Sequence, residues 1–227
     1  MARHPRIDIG GVVYHVLNRA NARVAFFEAD ADCAYFEGLL AEGKTRHPID
    51  LFSYELMPNH WHSVVRPRAD GILAKFFGWV EQKHAQYWHA KHGTTGAGHL
   101  YQGRYKSFPV ETDSHFLALC RYVEQNALRA GLVQRAQDWR WSSLWQRLHG
   151  GALARRLLDP WPVPEPTDYL EWVNAAPSRA ELDRIREASG RGRPFGSDAW
   201  MEQTMLALGI HPQPRQRGRP RKGEPWP

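Results

Sequence analysis

The residues best suited to chemistry are His60 and His62, in the triplet His60-Trp61-His62, and Tyr122, followed four positions later by Asn126. On a strand, side chains two apart point to one face, so both imidazoles can reach a single ion while Trp61 faces the other way. Imidazole suits several divalent metals, and an oxygen donor as third ligand would let the site hold Mg2+ or Mn2+ against a phosphate. On a helix, Tyr122 and Asn126 share a face, and Ala118 one turn earlier leaves room beside the ring. If that face looks onto the histidine strand, the Asn126 amide oxygen completes the metal site and the Tyr122 hydroxyl points at a bound phosphodiester. The chemistry is then attack by a tyrosinate on phosphorus, with the metal stabilising the developing charge. By residue type alone, Tyr14, Tyr101 and Tyr105 are rival nucleophiles, and Tyr122 could equally be a packed helical aromatic. With 12 histidines in the chain, the triplet by itself does not fix a metal.

These side chains need a strand, a helix and a frame that makes the two meet. After the Gly10-Gly11 break, 12–17 reads as a strand, and 30–44 shows helical spacing through Tyr35, Phe36, Leu39 and Leu40. Residues 49–57 and 60–65 read as antiparallel strands joined by the tight turn Pro58-Asn59. A helix over 72–92, a loop over 93–98, a strand over 107–111 and a helix over 113–128 capped by Asp113 follow. Strand, helix, strand, strand, helix, strand is the order of an α+β, ferredoxin-like antiparallel sheet with helices on one face. The helix carrying Tyr122 is extra. The stretch from Asp159 to Pro166 is rich in proline and marks a linker, with short helices expected at 168–175, 179–189 and 198–208. The expected organisation is a catalytic domain over 1–150, a linker over 151–166, a small helical extension over 167–210 and a basic tail over 211–227.

Composition bounds the partner. A hydrophobic share of 42% with 12% aromatics indicates a folded chain, and its formal charge of +6 invites a polyanion. Cys33 and Cys120 alone, far apart, argue against a disulfide framework or a cysteine zinc site. No apolar run approaches the roughly 20 residues of a membrane span. A cytoplasmic, nucleoid-associated location is the expectation. Arg104 and Lys106, between a loop and a strand, are expected to meet DNA phosphate. The Gly-Arg-Pro units carrying Arg193 and Arg219 are similar to arms that enter a minor groove.

Four ordered blocks resemble the single-tyrosine HUH transposases, and within them the branch associated with repetitive extragenic palindromes. They are Leu56-Met57-Pro58-Asn59-His60-Trp61-His62, the run from Gly98 to Ser107, Arg121-Tyr122 through Asn126 to Arg129-Ala130-Gly131-Leu132-Val133, and Trp141-Ser142-Ser143. Arg191 to Ser197 and Arg217 to Lys222 look like that branch's distal extension. The resemblance implies metal-dependent cleavage and rejoining of single-stranded DNA through a 5′-phosphotyrosine at Tyr122, as monomer or homodimer. It also implies a substrate that is an imperfect hairpin with a short tetranucleotide at its foot. Related transposases place a glutamine one turn after the tyrosine, so Asn126 looks like a shorter substitute, with Gln125 the weaker candidate. Ala127 stands where the family commonly has proline. Two other readings are a hairpin-binding regulator without catalysis and a replication initiator or relaxase using the same metal and tyrosine.

Overall fold

The computed structural model describes residues 7–209; the basic tail, Arg219 included, lies outside them. Strands β1 (Val13–Arg19), β2 (Ile49–Met57), β3 (His60–Pro67) and β4 (Lys106–Val110) form one antiparallel sheet in the order β2-β3-β1-β4. Helices α1 (Asp30–Arg46) and α2 (Ile72–His92) enter at the expected places. The α+β architecture and element order therefore agree with the sequence reading.

Alternation along the strands divides the interior in two. On one face Tyr14, Val16, Leu51 and Trp61 pack with Phe36, Leu40, Phe76 and Phe77 of α1 and α2. Gly43 lets those helices approach, because a Cβ there would lie 2.8 Å from the Phe76 ring. On the other face Val13, Phe52, Val64 and Phe108 pack with Phe116, Leu119 and Val123 of α3 (Ser114–Glu124). The sheet is thus covered on both sides, the second by the extra helix together with Ile185, Ala188 and Phe195 from the C-terminal part of the chain.

The expected helix over 113–128 is interrupted at Gln125, after which a short α4 (Asn126–Arg129) begins. Both sheet edges are covered, which removes the exposed strand edges that invite aggregation. Leu56 N donates to Trp141 O at 2.9 Å beside β2, and Phe195 pairs beside β4 through Phe195 N to Pro109 O and Glu111 N to Phe195 O, each 2.9 Å.

Within the expected linker, 159–166 carries no helix or strand, as its prolines imply, but the residues before it carry a helix. This is α6 (Ala152–Leu157), which follows α5 (Ser143–His149). Leu157 is buried against the α1 and α2 core, Lys44 holds Leu157 O and Asp159, and the Trp161 indole donates to Phe52 O at 3.0 Å. Proline restricts this chain locally, but buried anchors fix its path. Beyond it, α7 (Tyr169–Asn174), α8 (Arg179–Arg191) and α9 (Asp198–Ala207) form the helical extension. Arg121 ties the extension to α3 by donating to Trp172 O at 2.9 Å and Ala175 O at 2.8 Å.

Two histidines are fully enclosed. His84 on α2 meets the Tyr101 hydroxyl at 2.6 Å among Phe26, Phe27 and Phe36, and His15 lies on the α3 side of β1. Burial pushes each imidazole down to about 3. Below pH 6.5 the unfolded chain takes up protons that the folded chain refuses, so stability falls as pH drops from 6.5 toward 3. From pH 7 to pH 5 the expected loss is about 2 kcal/mol for each such ring. Urea unfolding at the two pH values should show it, and the loss should be about 2 kcal/mol smaller in His84→Leu; an equal loss in that variant would contradict this origin.

Candidate active site

The register of β1 against β3 sets the site. Leu17 pairs with His62 and Arg19 with His60, while Glu55 and Met57 of β2 pair with the same two histidines from the other side. Trp61 between them turns into the α1 and α2 core and stacks on Phe77 with ring centroids 5.1 Å apart. His60 and His62 are therefore committed to the α3 face, with ring centroids 5.2 Å apart.

Tyr122 reaches the same place from α3. Its ring lies 6.2 Å from that of His62 and 6.3 Å from that of His15, edge-on to both. The rival tyrosines are elsewhere: Tyr14, Tyr101 and Tyr105 all sit in the core on the opposite face of the sheet. Burial raises the Tyr14 phenol to about 12 and Tyr101 well above its ordinary value, which disfavours either as a nucleophile.

The histidines are oriented for ligation. Asn59 Oδ1 lies 2.7 Å from His60 Nδ1, so that nitrogen donates and Nε2 keeps its lone pair. His62 Nδ1 meets His15 Nε2 at 2.9 Å, and the two rings stack within 7° of parallel. When His62 is the donor in that pair, its own Nε2 is free for an ion, the arrangement seen where a metal-bound histidine is steadied through its second nitrogen. Burial pushes His60 down to about 4 and His62 well below its ordinary value, aided for both by the charges of Arg19 and Arg129. Near neutral pH both imidazoles are uncharged, the form a metal requires.

Asn126 follows Tyr122 across the break in the helix, and Glu55 explains the break. The buried Glu55 carboxyl is pushed well above its ordinary value by desolvation, against which the Ala127 and Asn126 backbone amides act. Ala127 N donates to Glu55 Oε1 at 2.6 Å, so a strand side chain takes up an amide at the start of α4. The Tyr122 carbonyl is taken instead by Arg129 Nη1 at 2.8 Å, and Arg129 Nη2 donates to Asn126 Oδ1 at 2.6 Å. An amide oxygen has two lone pairs, so Asn126 can accept this bond and still ligate. Its Nδ2 is buried without a partner. Gln125 is turned away, its side chain donating to Val173 O and Ala175 O.

The remaining sequence candidates separate. Lys106 pairs with Leu17 and so shares the His62 face, and its side chain is exposed, as is that of Arg104. Arg193 is half-buried beside the β4 edge, in a segment whose Pro194, Phe195 and Gly196 are buried. Arg219 lies outside the described residues. Sequence reasoning missed His15, Glu55 and Arg129. Arg129 had a signal, since it stands three positions after Asn126 on the same turn. His15 and Glu55 had none short of strand register.

A second group, Glu111, Asp113 and His115, brings three ligand atoms within 4.8 Å of one another at the other end of β4. Its oxygens already serve the backbone: Asp113 Oδ1 accepts from His115 N at 2.7 Å and Glu111 Oε2 from Ser197 N at 2.6 Å. Helix capping and docking of the extension account for this cluster.

A family model described as transposase IS200 like matches residues 9–126. No curated protein matches the sequence. Among solved structures, a REP-associated tyrosine transposase bound to a REP hairpin is 15% identical, with 73% of this chain and 93% of that chain covered and a TM-score of 0.55. A chain from Deinococcus radiodurans R1, described provisionally as a transposase, is also 15% identical, with 59% and 94% covered and a TM-score of 0.38. The first likeness supports the fold. Among the described residues no helix is long and apolar enough to cross a membrane.

Removing the Glu55 carboxyl group should leave the Ala127 amide buried and unpaired, at a loss of about 1–3 kcal/mol. Urea unfolding of Glu55→Ala at pH 7 measures this, and a stability within about 0.5 kcal/mol of the parent would show that Glu55 does not hold the helix break.

Proposed function

The chain belongs to the IS200-like transposase family, and on that premise we propose that it is a metal-dependent DNA transesterase that cuts and rejoins single-stranded DNA at palindromic hairpins. The observation that carries this reading is the convergence of His60, His62 and Tyr122 on one sheet face while the other candidate tyrosines lie on the opposite one.

His60 and His62 would hold a divalent ion through Nε2, with Asn126 Oδ1 as the third ligand. The donor set of two neutral imidazoles and an amide oxygen fits Mg2+ or Mn2+ when phosphate oxygens and water complete the coordination. Bound there, the ion would polarise a phosphoryl oxygen and stabilise charge in the transition state.

Tyr122 supplies the nucleophile. Its phenol loses a proton, its oxygen bonds to phosphorus, and the bond to the 3′-oxygen of the neighbouring nucleotide breaks. That oxygen leaves as a 3′-hydroxyl after gaining a proton, so the step is proton-neutral overall. The 5′-phosphotyrosine conserves the phosphodiester's bond energy, and attack by a 3′-hydroxyl rejoins the strand. The half-buried position of Tyr122 between α3 and the histidines holds its ring without closing it from substrate.

The hairpin substrate is supported by the motif blocks from Leu56 to Ser143 and by the REP hairpin bound to the similarly folded transposase. Exposed Arg104 and Lys106 beside the site suit phosphate contacts that position DNA without reading its bases. Arg193 and Arg219 are proposed for groove contacts.

Incubation with Mn2+ and a 3′-labelled hairpin oligonucleotide carrying an unpaired foot should give a labelled covalent adduct that resists denaturing gels, because the 5′-phosphotyrosine retains the 3′ fragment. The adduct should vanish in Tyr122→Phe, and His60→Ala should lose cleavage by at least about 100-fold while retaining most hairpin binding. An undiminished adduct in Tyr122→Phe would remove the nucleophile assignment. Hairpin binding with no adduct under any metal would favour a non-catalytic regulator.

A further inference from the structure

Arg129 has no assigned part in the site just described, yet it touches two of that site's members. Its guanidinium carbon lies 4.2 Å from the centre of the Tyr122 ring. Nη1 donates to Tyr122 O at 2.8 Å and Nη2 to Asn126 Oδ1 at 2.6 Å. Among the described residues no carboxylate forms an ion pair with it within 4.0 Å; the Glu55 carboxyl bears on its charge but already serves the Ala127 amide. Its charge nevertheless bears on both His60 and His62. A half-buried cation without an ion-pair partner, directed at histidines and a tyrosine, is costly unless an anion completes its surroundings.

Helix capping accounts for only part of this. A lysine could meet the freed Tyr122 carbonyl at the break, but a point donor cannot bridge that carbonyl and the Asn126 amide while lying flat on the ring. The planar fork does all three, and two of its five N–H donors are used in doing so. The others are left on the side chain that separates the nucleophile from the third ligand. A phosphodiester presented to Tyr122 and to the ion would bring its non-bridging oxygens to this group, and guanidinium matches such oxygens in geometry as well as charge.

Resting on the transesterase reading, the geometry assigns to Arg129 the role of a catalytic cation for the scissile phosphate, which also fixes Tyr122 and Asn126 relative to one another. During attack it neutralises charge gathering on the non-bridging oxygens and holds the phenol ring in line. It forms no covalent bond. Hairpin affinity comes from contacts elsewhere, so Arg129 acts on the rate of strand transfer more than on binding.

The test compares Arg129→Lys, Arg129→Gln and Arg129→Ala with the parent in single-turnover adduct formation, using full-length protein, Mn2+ and the labelled hairpin. Hairpin Kd and thermal unfolding are measured alongside. The expected result is a rate fall of about 100-fold or more in Arg129→Gln and Arg129→Ala and at least about 10-fold in Arg129→Lys. Hairpin Kd should stay within about threefold, and millimolar guanidinium should restore at least about 10-fold of the Arg129→Ala rate. Rates within about threefold of the parent, or a rate loss that guanidinium cannot restore and that follows the loss of thermal stability across the three variants, would overturn the assignment. Tyr122→Phe run in parallel separates the two levels. If the parent itself forms no adduct, the transesterase reading fails; if Tyr122→Phe still forms adduct, the nucleophile is another residue and the assignment of Arg129 to Tyr122 falls with it; if Tyr122→Phe is inactive while the Arg129 variants are normal, only the role of Arg129 fails.

Discussion

The two-residue pleat of β3 is the constraint on which the site depends. Trp61 is too large and too apolar to leave the core, and its stacking on Phe77 fixes which way that one residue points. Period two then sends His60 and His62 to the opposite face. A register slip of one residue would bury both imidazoles under α1 and α2 and put the indole against Tyr122. The hydrophobic core thus decides the position of the polar site.

The second face is where the fold departs from a plain sheet with two helices. There α3 brings Tyr122 over the histidines, and Glu55 from β2 ends that helix by taking the amides that begin α4. One buried carboxyl therefore couples a strand to the helix break from which Asn126 and Arg129 project. The extension steadies the same helix from outside, through Arg121 and Gln125. Burial keeps His15, His60 and His62 uncharged, which suits ligation and makes the fold sensitive to acid.

Much of this was legible in the sequence, for physical reasons. Strand alternation and helical spacing are local signals, so β2 and α2 were read with the boundaries the structure has. The His60 and His62 pair and the Tyr122 to Asn126 spacing lie within single elements, so their faces could be inferred. Contacts that depend on register across strands could not: His15 against His62, and Glu55 against Ala127, join residues 47 and 72 positions apart. Residues 159–166 carry no helix or strand, in keeping with their prolines, but proline content reports only local stiffness, and the course of the stretch is set by Leu157, Asp159 and Trp161 docking at distant sites. The break at Gln125 is hidden for a similar reason: Asn126 is only a weak helix former, and the group that takes up the freed amide is on another strand.

The central claim is that His60 and His62 hold one metal ion beside Tyr122. Pulsed electron paramagnetic resonance of Mn2+ bound to the full-length protein tests it directly, because nitrogen ligands couple to the manganese spin. The expected spectrum carries couplings from two imidazole nitrogens, one lost in His60→Ala and one in His62→Ala, with Tyr122→Phe unchanged. A spectrum without nitrogen couplings, or one that neither histidine substitution alters, would contradict the claim.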